Sequence, residues 1–342
     1  MDGERSMAVP PTESLPDCAL VIPNWNGARW LPRCLNAVRA QTLSPCEIVV
    51  VDNGSQDESL ALLARDFPEV KVIPLPHNTG FAFAVNTGIA ATRSPLVALL
   101  NTDTVTDPGW LQNLAESLQA GPATLGAVTG LFCQLEQPDR VENAGDILTW
   151  QGVAEKRGHG RPVTEYQTPG DIFSCCAGAA LYRRSFLEDA GGFDATFFAY
   201  WEDIDLGLRG RLLGYRYQFV PRARVLHQGH GSGLPSQRYV RLSTANRGRV
   251  LIKNIPARLL WRHAFSLLYG QFYFLACQRR PLAAWMGGLD LLRSLPTILR
   301  ARKELSCRRR INPADVEKWL APRMQAPGLW RTFFNRWRSQ RT

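Results

Sequence analysis

The sequence predicts an α/β fold built on a mainly parallel sheet, with a basic helical extension after it. Three observations lead there. Short apolar runs alternate with amphipathic segments at the spacing of βαβ units. Polar clusters, which could meet a ligand, follow the C-terminal ends of those runs. Charge also divides along the chain. Residues 1–237 carry 18 Lys/Arg and 26 Asp/Glu, net −8, whereas residues 238–342 carry 22 and 4, net +18.

In order, residues 1–17 are polar and Pro-bearing, without an apolar h-region. They are read as a disordered lead and not as a signal peptide. A buried strand is expected over 18–26 (CALVIPNWN), then a helix from Ala28 to Ala40 with Leu31, Leu35 and Val38 on one face. Glu47–Val51 reads as a second buried strand, closed by the turn Asp52-Asn53-Gly54-Ser55. A helix over Ser59–Asp66 and a strand over Val70–Pro74 follow. Asn78-Thr79-Gly80-Phe81-Ala82 opens a helix that carries Asn86 and Gly88 and runs to Thr92. The fourth strand ends in Asn101-Thr102-Asp103. The helix Trp110–Leu118 starts after Asp107-Pro108, with Pro near the first turn.

Beyond it the pattern loosens. Ala127–Leu131 reads as a strand, Thr149–Glu165 as a mobile loop rich in Gly and charge, and Phe173–Tyr182 as a small-residue strand. A short helix from Arg183 stops at Gly191-Gly192. Then comes FFAYWEDIDL, residues 197–206. It sets Glu202, Asp203 and Asp205 beside four aromatics, at the start of a helix whose Ile204, Leu208 and Leu212 share one face. Taken alone, it reads equally as a capped helix start with an Asp205–Arg209 pair at i, i+4. Tyr215–Val220 and Arg224–His227 read as two strands.

The last third is helical, from Tyr239 to Asn254 and on through the aromatic block Leu259–Cys277 to Leu305. Its longest uncharged run, His263 to Gln278, is too short for the roughly 20 residues of a membrane span, so it reads as a buried or interfacial helix. The eight scattered cysteines form no C-x-x-C pair, which excludes a disulfide framework or a zinc site and fits a reducing compartment. No G-x-G-x-x-G follows the first strand, which argues against a dinucleotide-dependent oxidoreductase.

An oxygen-rich pair such as Asn101 and Asp103 at a strand end can hold a hard cation against a diphosphate. Alone it is a turn-capping pattern. Asp52, the 78–88 segment, Glu202/Asp203 and His227 recur at other strand ends, and turn chemistry does not explain five such clusters.

These pieces carry a resemblance. VIPNWNG (21–27), VVVDNGSQDES (49–59), NTGFAFAVNTG (78–88), LLNTDTV (99–105), the run 178–216 and VLHQGHGS (225–232) resemble a family 2 glycosyltransferase, closest to the bacterial rhamnosyltransferase-like branch. The resemblance covers about residues 18–255. It implies a GT-A nucleotide-diphospho-sugar fold over 18–237, while the basic, aromatic composition of 238–342 reads as a membrane-peripheral region. It implies that Pro23, Asn24 and Asn26 line a nucleotide pocket, that Asp52 meets the base edge, and that Asn53, Gly54 and Ser55 shape that loop. Asn78, Gly80, Phe81 and Asn86 would contact ribose and diphosphate. Asn101-Thr102-Asp103 stands where the family has D-x-D, with Asn in place of the first carboxylate. Asp103 and His227 would hold Mn²⁺ or Mg²⁺, imidazole favouring Mn²⁺; His230 is the alternative imidazole. Asp203 would be the catalytic base, with Glu202 beside it.

The function so implied is inverting, metal-dependent transfer from a nucleotide-diphospho-sugar to a hydroxyl of a glycan or polyprenyl-linked acceptor. The favoured donor is dTDP-L-rhamnose; UDP-hexoses and UDP-N-acetylhexosamines are the alternatives. A non-catalytic sugar-nucleotide module is a second reading, raised by Asn101. Arginines beside Trp261, Phe265, Phe272, Tyr273 and Phe274 suit an anionic membrane surface. No nucleic-acid module is recognisable. A cytoplasmic protein, peripheral on the inner face of the membrane, is therefore expected.

Overall fold

The computed structural model describes residues 15–229 and 236–325. Residues 1–14 of the expected lead, and His230, lie outside the described residues. The chain opens with β1 (Cys18–Asn24), α1 (Leu31–Arg39), β2 (Glu47–Asp52), α2 (Ser59–Asp66), β3 (Lys71–Pro74), α3 (Phe81–Ala90) and β4 (Leu96–Leu100). The strands β3-β2-β1-β4 are neighbours in that order and all parallel. Side chains alternate across this layer, as the two-residue period requires. Leu20 and Ile22 of β1 pack with Leu31, Leu35 and Leu63 on one face, while Val21 packs with Ala82 and Val85 on the other.

The second half is mixed. It comprises β5 (Thr104–Thr106), α4 (Trp110–Ala120), β6 (Leu125–Gln134), β7 (Val141–Asn143), β8 (Asp146–Leu148), β9 (Ala154–Lys156), β10 (Gly170–Ile172), β11 (Ala179–Arg183), α5 (Arg184–Ala190), α6 (Glu202–Leu212) and β12 (Arg216–His227). β11 inserts antiparallel between β4 and β6, and β12 lies parallel beside β6. The two strands expected over 215–227 are one strand with a register shift between Val220 and Arg224. Pro221 cannot donate to the ladder, and the bulge absorbs it without ending the strand. The loop expected over Thr149–Glu165 is in part an ordered hairpin, because β9 pairs antiparallel with β8.

Helices α7 (Ser236–Asn254), α8 (Ala257–Arg262), α9 (Ala264–Gln278), α10 (Pro281–Arg308) and α11 (Val316–Trp319) complete the described chain. The boundary drawn at 237/238 is not a break in packing. Leu251 packs against the same core as Ile204 and Leu208 of α6, and α7 buries Asn246, Arg247, Lys253 and Asn254. The polar residues of α7 are needed inside, which its charge pattern concealed. None of the described helices is long and apolar enough to cross a membrane.

Candidate functional site

The C-terminal ends of β1, β2 and β4 open on one side of the sheet, where register pairs Asn24 with Asp52. A cavity of about 810 Å³ lies there. Nine of the residues expected to bind nucleotide line it: Pro23, Asn24, Asn53, Asn78, Gly80, Phe81, Asn101, Thr102 and Asp103. Asn53 is buried and ties two loops, donating to Gly80 O (3.1 Å) and accepting from Thr79 N (2.8 Å). Gly80 has φ +92°, and a Cβ there would lie 2.5 Å from Phe198 O. The loop before α6 therefore closes directly over it. The Asn24 Oδ1 atom is buried without a hydrogen-bond partner.

Four expected contacts fall elsewhere. Asp52 is 1% exposed; one oxygen accepts from Asn24 Nδ2 (2.7 Å) and the other from Ser55 N (3.0 Å). It braces the pocket wall and does not line it. Asn26, exposed and at φ 52°, accepts from Gln56 N (2.7 Å). Gly54 serves a tight approach, since a Cβ would meet His77 Cα at 2.5 Å. Asn86 clamps the Phe193 backbone, donating to its carbonyl (2.6 Å) and accepting from its N–H (3.0 Å). In each case a backbone group that would otherwise lack a partner or a path has claimed the residue.

The far wall joins β12 to the Asn101-Thr102-Asp103 turn. His227 Nε2 lies 3.3 Å from Asp103 Oδ2, and its Nδ1 lies 3.4 Å from Glu142 Oε2. Glu142 also ion-pairs with Lys156. Burial opposes charge on His227, but the Asp103 and Glu142 carboxylates outweigh it and raise the imidazole to about 9. Burial likewise opposes charge on Glu142, yet His227 and Lys156 hold its carboxyl at about 2. An oxygen and an imidazole nitrogen 3.3 Å apart are near the spacing of adjacent vertices around a small divalent cation, whose bonds run about 2.1 Å. With the imidazole deprotonated, the pair would offer one oxygen and one nitrogen donor to a divalent ion and leave its other positions to non-protein ligands. Among the described residues no cluster of three or more ligands could hold a metal by protein alone.

A second cavity, about 420 Å³, adjoins the first and shares Lys156, Tyr200, Tyr239 and Gln278 with it. Glu202, Asp203 and Asp146 line it. All three carboxyls are pushed up: burial is the largest cause, and Asp203 adds repulsion to both Glu202 and Asp146. Asp203 is restrained by backbone N–H groups, Ile204 N lying 2.8 Å from Oδ1, and by the charge of Lys156. The macrodipole of α6 also favours a carboxylate in its first turn. Glu202 Oε2 is buried without a partner.

The backbone before α6 is contorted, with positive φ at Phe198, Tyr200 and Trp201. Non-glycine residues hold such angles only where surroundings compel them. Asn246 supplies that constraint: its Nδ2 lies 2.8–3.0 Å from the carbonyl oxygens of Phe197, Ala199 and Tyr200. One turn on, Asp205 is fully buried between Arg209 Nε (2.7 Å) and Lys253 Nζ (2.7 Å), and accepts from Asn254 Nδ2 (2.8 Å). Asp205 is structural, as the i, i+4 pairing suggested.

The family model for glycosyl transferase family 2 matches residues 19–191, half of the chain, a range that includes the Asn101-Thr102-Asp103 turn and ends before Asp203 and His227. The chain belongs to glycosyl transferase family 2. An uncharacterized glycosyltransferase of Nostoc sp. is 34% identical over 189 residues, 54% of this chain and 56% of its own. The pre-mycofactocin glycosyltransferase of Mycobacterium tuberculosis is 30% identical over 62% of this chain and 42% of its own. The matched part thus spans about half the length of these relatives. The N-acetylglucosaminyl-diphospho-decaprenol L-rhamnosyltransferase of M. tuberculosis is 28% identical over 59% of this chain and 73% of its own. In fold, the chain is similar to GalNAc-T7 solved with UDP, GalNAc and Mn²⁺ (TM-score 0.55, 17% identity, 74% of this chain and 55% of that one). It is also similar to S. aureus TarS 1-349 in complex with UDP-GlcNAc (0.54, 14%, 83% of each). The architecture is that of the GT-A glycosyltransferases.

Within this family 2 site, sequence reasoning missed Glu142, Lys156, Asp146 and Asn246. Glu142 and Asp146 sit on short strands too brief to show a pattern, and Lys156 lay in the segment read as loop. Asn246 is a polar residue in mid-helix, where Asn is a poor helix former. That misfit was the one available signal.

Proposed function

We propose that this family 2 chain is an inverting, divalent-metal-dependent glycosyltransferase that moves a sugar from a nucleotide-diphospho-sugar to an acceptor hydroxyl. One observation carries the reading. The cavity ending at Asp103 and His227 runs into the cavity holding Asp203. A donor diphosphate and an acceptor hydroxyl can therefore meet at their junction.

Asp103 and His227 would hold Mn²⁺ or Mg²⁺, which supplies charge neutralisation for the leaving diphosphate. Asn101 and Thr102 flank that position, and Asn24, Asn53, Asn78, Gly80 and Phe81 hold the nucleoside. Lys156, on the wall common to both cavities, adds positive charge where the bond breaks. Asp203 takes the proton of the attacking hydroxyl, a role typically contributing about 10² to 10⁴-fold. Its raised basicity suits that task. A single base with no covalent partner implies one displacement, with inversion. Glu202 adjoins the base, where burial and the Asp203 charge favour its protonated form.

The favoured donor is dTDP-L-rhamnose, on the strength of the rhamnosyltransferase relative; UDP-hexose and UDP-N-acetylhexosamine donors are the alternatives. The acceptor is a glycan or lipid-linked glycan. Trp261 (83% exposed), Phe265 (89%) and Phe272 (66%) form an apolar edge near the exposed Arg258, Arg262, Arg279 and Arg280. That composition suits the inner, anionic membrane surface. The test is a donor screen by nucleoside-diphosphate release, with and without Mn²⁺. Metal-dependent release from one donor supports transfer. Tight nucleoside-diphosphate binding without turnover of any donor would favour the non-catalytic module.

A further inference from the structure

One face of α7 presents Tyr239, Ser243 and Arg247, at i, i+4 and i+8, to the cavity that holds Asp203. Arg247 is 3% exposed. Its Nε donates to Gly152 O (2.9 Å) and its Nη2 to Gln151 O (3.4 Å), and the guanidinium lies 4.8 Å over the Phe274 ring. Nη1 is buried with no hydrogen-bond partner, and so is the Oγ of Ser243 one turn before it. No carboxylate among the described residues forms an ion pair with Arg247, although Asp146, Glu155, Glu202 and Asp203 line the same cavity. Buried cations without a counter-ion are costly and ordinarily paired. Here a guanidinium with one unpartnered nitrogen, Nη1, and an unpartnered hydroxyl belong to residues that line the same cavity from one helix.

We propose that Arg247 and Ser243 form an anion subsite in the acceptor cavity that takes a phosphoryl group borne by the acceptor. Guanidinium is the planar, multi-donor group that matches phosphate oxygens. The cavity is then polarised: the phosphoryl group sits by Arg247, and the hydroxyl to be glycosylated sits by Asp203. Helix α9 supplies Tyr273, Phe274 and Gln278 to the same cavity, while its other side carries the exposed Phe265 and Phe272. A phosphate on a lipid chain would enter along that helix. A soluble sugar phosphate would offer the same group without the chain. This inference rests on the glycosyltransferase reading for the identity of the cavity.

The test uses the full chain loaded with UDP and Mn²⁺, so that the donor site does not compete for phosphate. Binding of decyl phosphate, inorganic phosphate and decanol is measured by calorimetry, for the wild type and for Arg247→Gln, Arg247→Lys and Ser243→Ala. Decyl phosphate should bind the wild type, weaken at least tenfold in R247Q and several-fold in S243A, and weaken less in R247K. Decanol should not distinguish the variants. Inorganic phosphate binding as well as decyl phosphate would assign the subsite to soluble phosphates; a clear preference for decyl phosphate would assign it to lipid-linked ones. If UDP binds and decyl phosphate does not, or if folded R247Q and S243A bind it like the wild type, the subsite is refuted and Arg247 merely anchors the Gln151-Gly152 turn. Should R247Q fail to fold, S243A and the wild-type measurement decide the matter. Should UDP fail to bind, dTDP takes its place, and failure of both to bind would strike the donor reading instead.

Discussion

The side-chain nitrogen of Asn246 lies 2.8 Å from the carbonyl oxygen of Tyr200, joining the first C-terminal helix to the loop that ends at the candidate base. The same nitrogen reaches two further carbonyls of that loop. Asn246→Ala should therefore strip this donor from the Ala199 and Tyr200 carbonyls, while Phe197 O keeps the Ala199 N–H (2.7 Å). The expected cost is about 1–3 kcal/mol of stability. Transfer should fall about tenfold or more as Asp203 loses its fixed position. Urea unfolding and steady-state assays check both, and a variant with normal turnover would show that the loop holds its shape unaided.

Asp203→Asn should reduce transfer by about 10² to 10⁴-fold while leaving nucleoside-diphosphate affinity within a few-fold. Transfer and calorimetry on the same preparation separate the two effects. Retained transfer would remove Asp203 as the base and turn attention to Glu202.

Asp205→Ala strips the shared partner from Arg209 and Lys253, both buried. Breaking a buried pair from one side costs about 3–5 kcal/mol. A denaturation midpoint close to that of the wild type would mean the two cations find other partners in Asp194 and the Ala190 and Gly192 carbonyls.

Asp194 provides a pH signature. Burial opposes its charge, but Lys253, 2.6 Å away, and Thr196 hold its carboxyl at about 2. The folded value lies below the unfolded one, so the contribution is present above pH about 4 and disappears as pH falls toward 2. It should amount to on the order of 2 kcal/mol. Asp194→Asn should be less stable than the wild type at pH 6 and converge with it near pH 2. Parallel curves would place the acid sensitivity elsewhere.

The exposed aromatic edge is tested by Trp261→Ser combined with Phe265→Ser, since truncation would also remove α10 from its packing on α7. Co-sedimentation with anionic vesicles should drop several-fold in the double variant. The wild-type interaction should weaken as salt rises. Equal co-sedimentation of both proteins would dissociate this edge from the membrane.

Much of the parallel half was legible, because buried strands and amphipathic helices announce themselves by period. The strand-end positions of Asn24, Asn53, Asn78 and Asp103 followed from topology, since parallel connections bring successive strand ends to one edge. Asp52 and Asn86 sat in the right motifs, but a motif does not say which way a carboxylate or amide turns. Local backbone groups decided that, by claiming both side chains as partners. Glu142, Lys156 and Asp146 were illegible because three-residue strands carry no periodic signal.

FFAYWEDIDL shows the division most clearly. By itself the sequence determined that three carboxylates crowd the start of a helix and that Asp205 stands one turn before Arg209. Only the tertiary structure decided their fates. Asp205 turned inward because Arg209, Lys253 and Asn254 surround it, and Asp203 faced a cavity because Asn246, more than forty residues later in the chain, holds the preceding loop in a conformation that local preference disfavours. Charge and period are local properties readable along the chain; the direction a buried polar group faces depends on partners that only folding brings within reach.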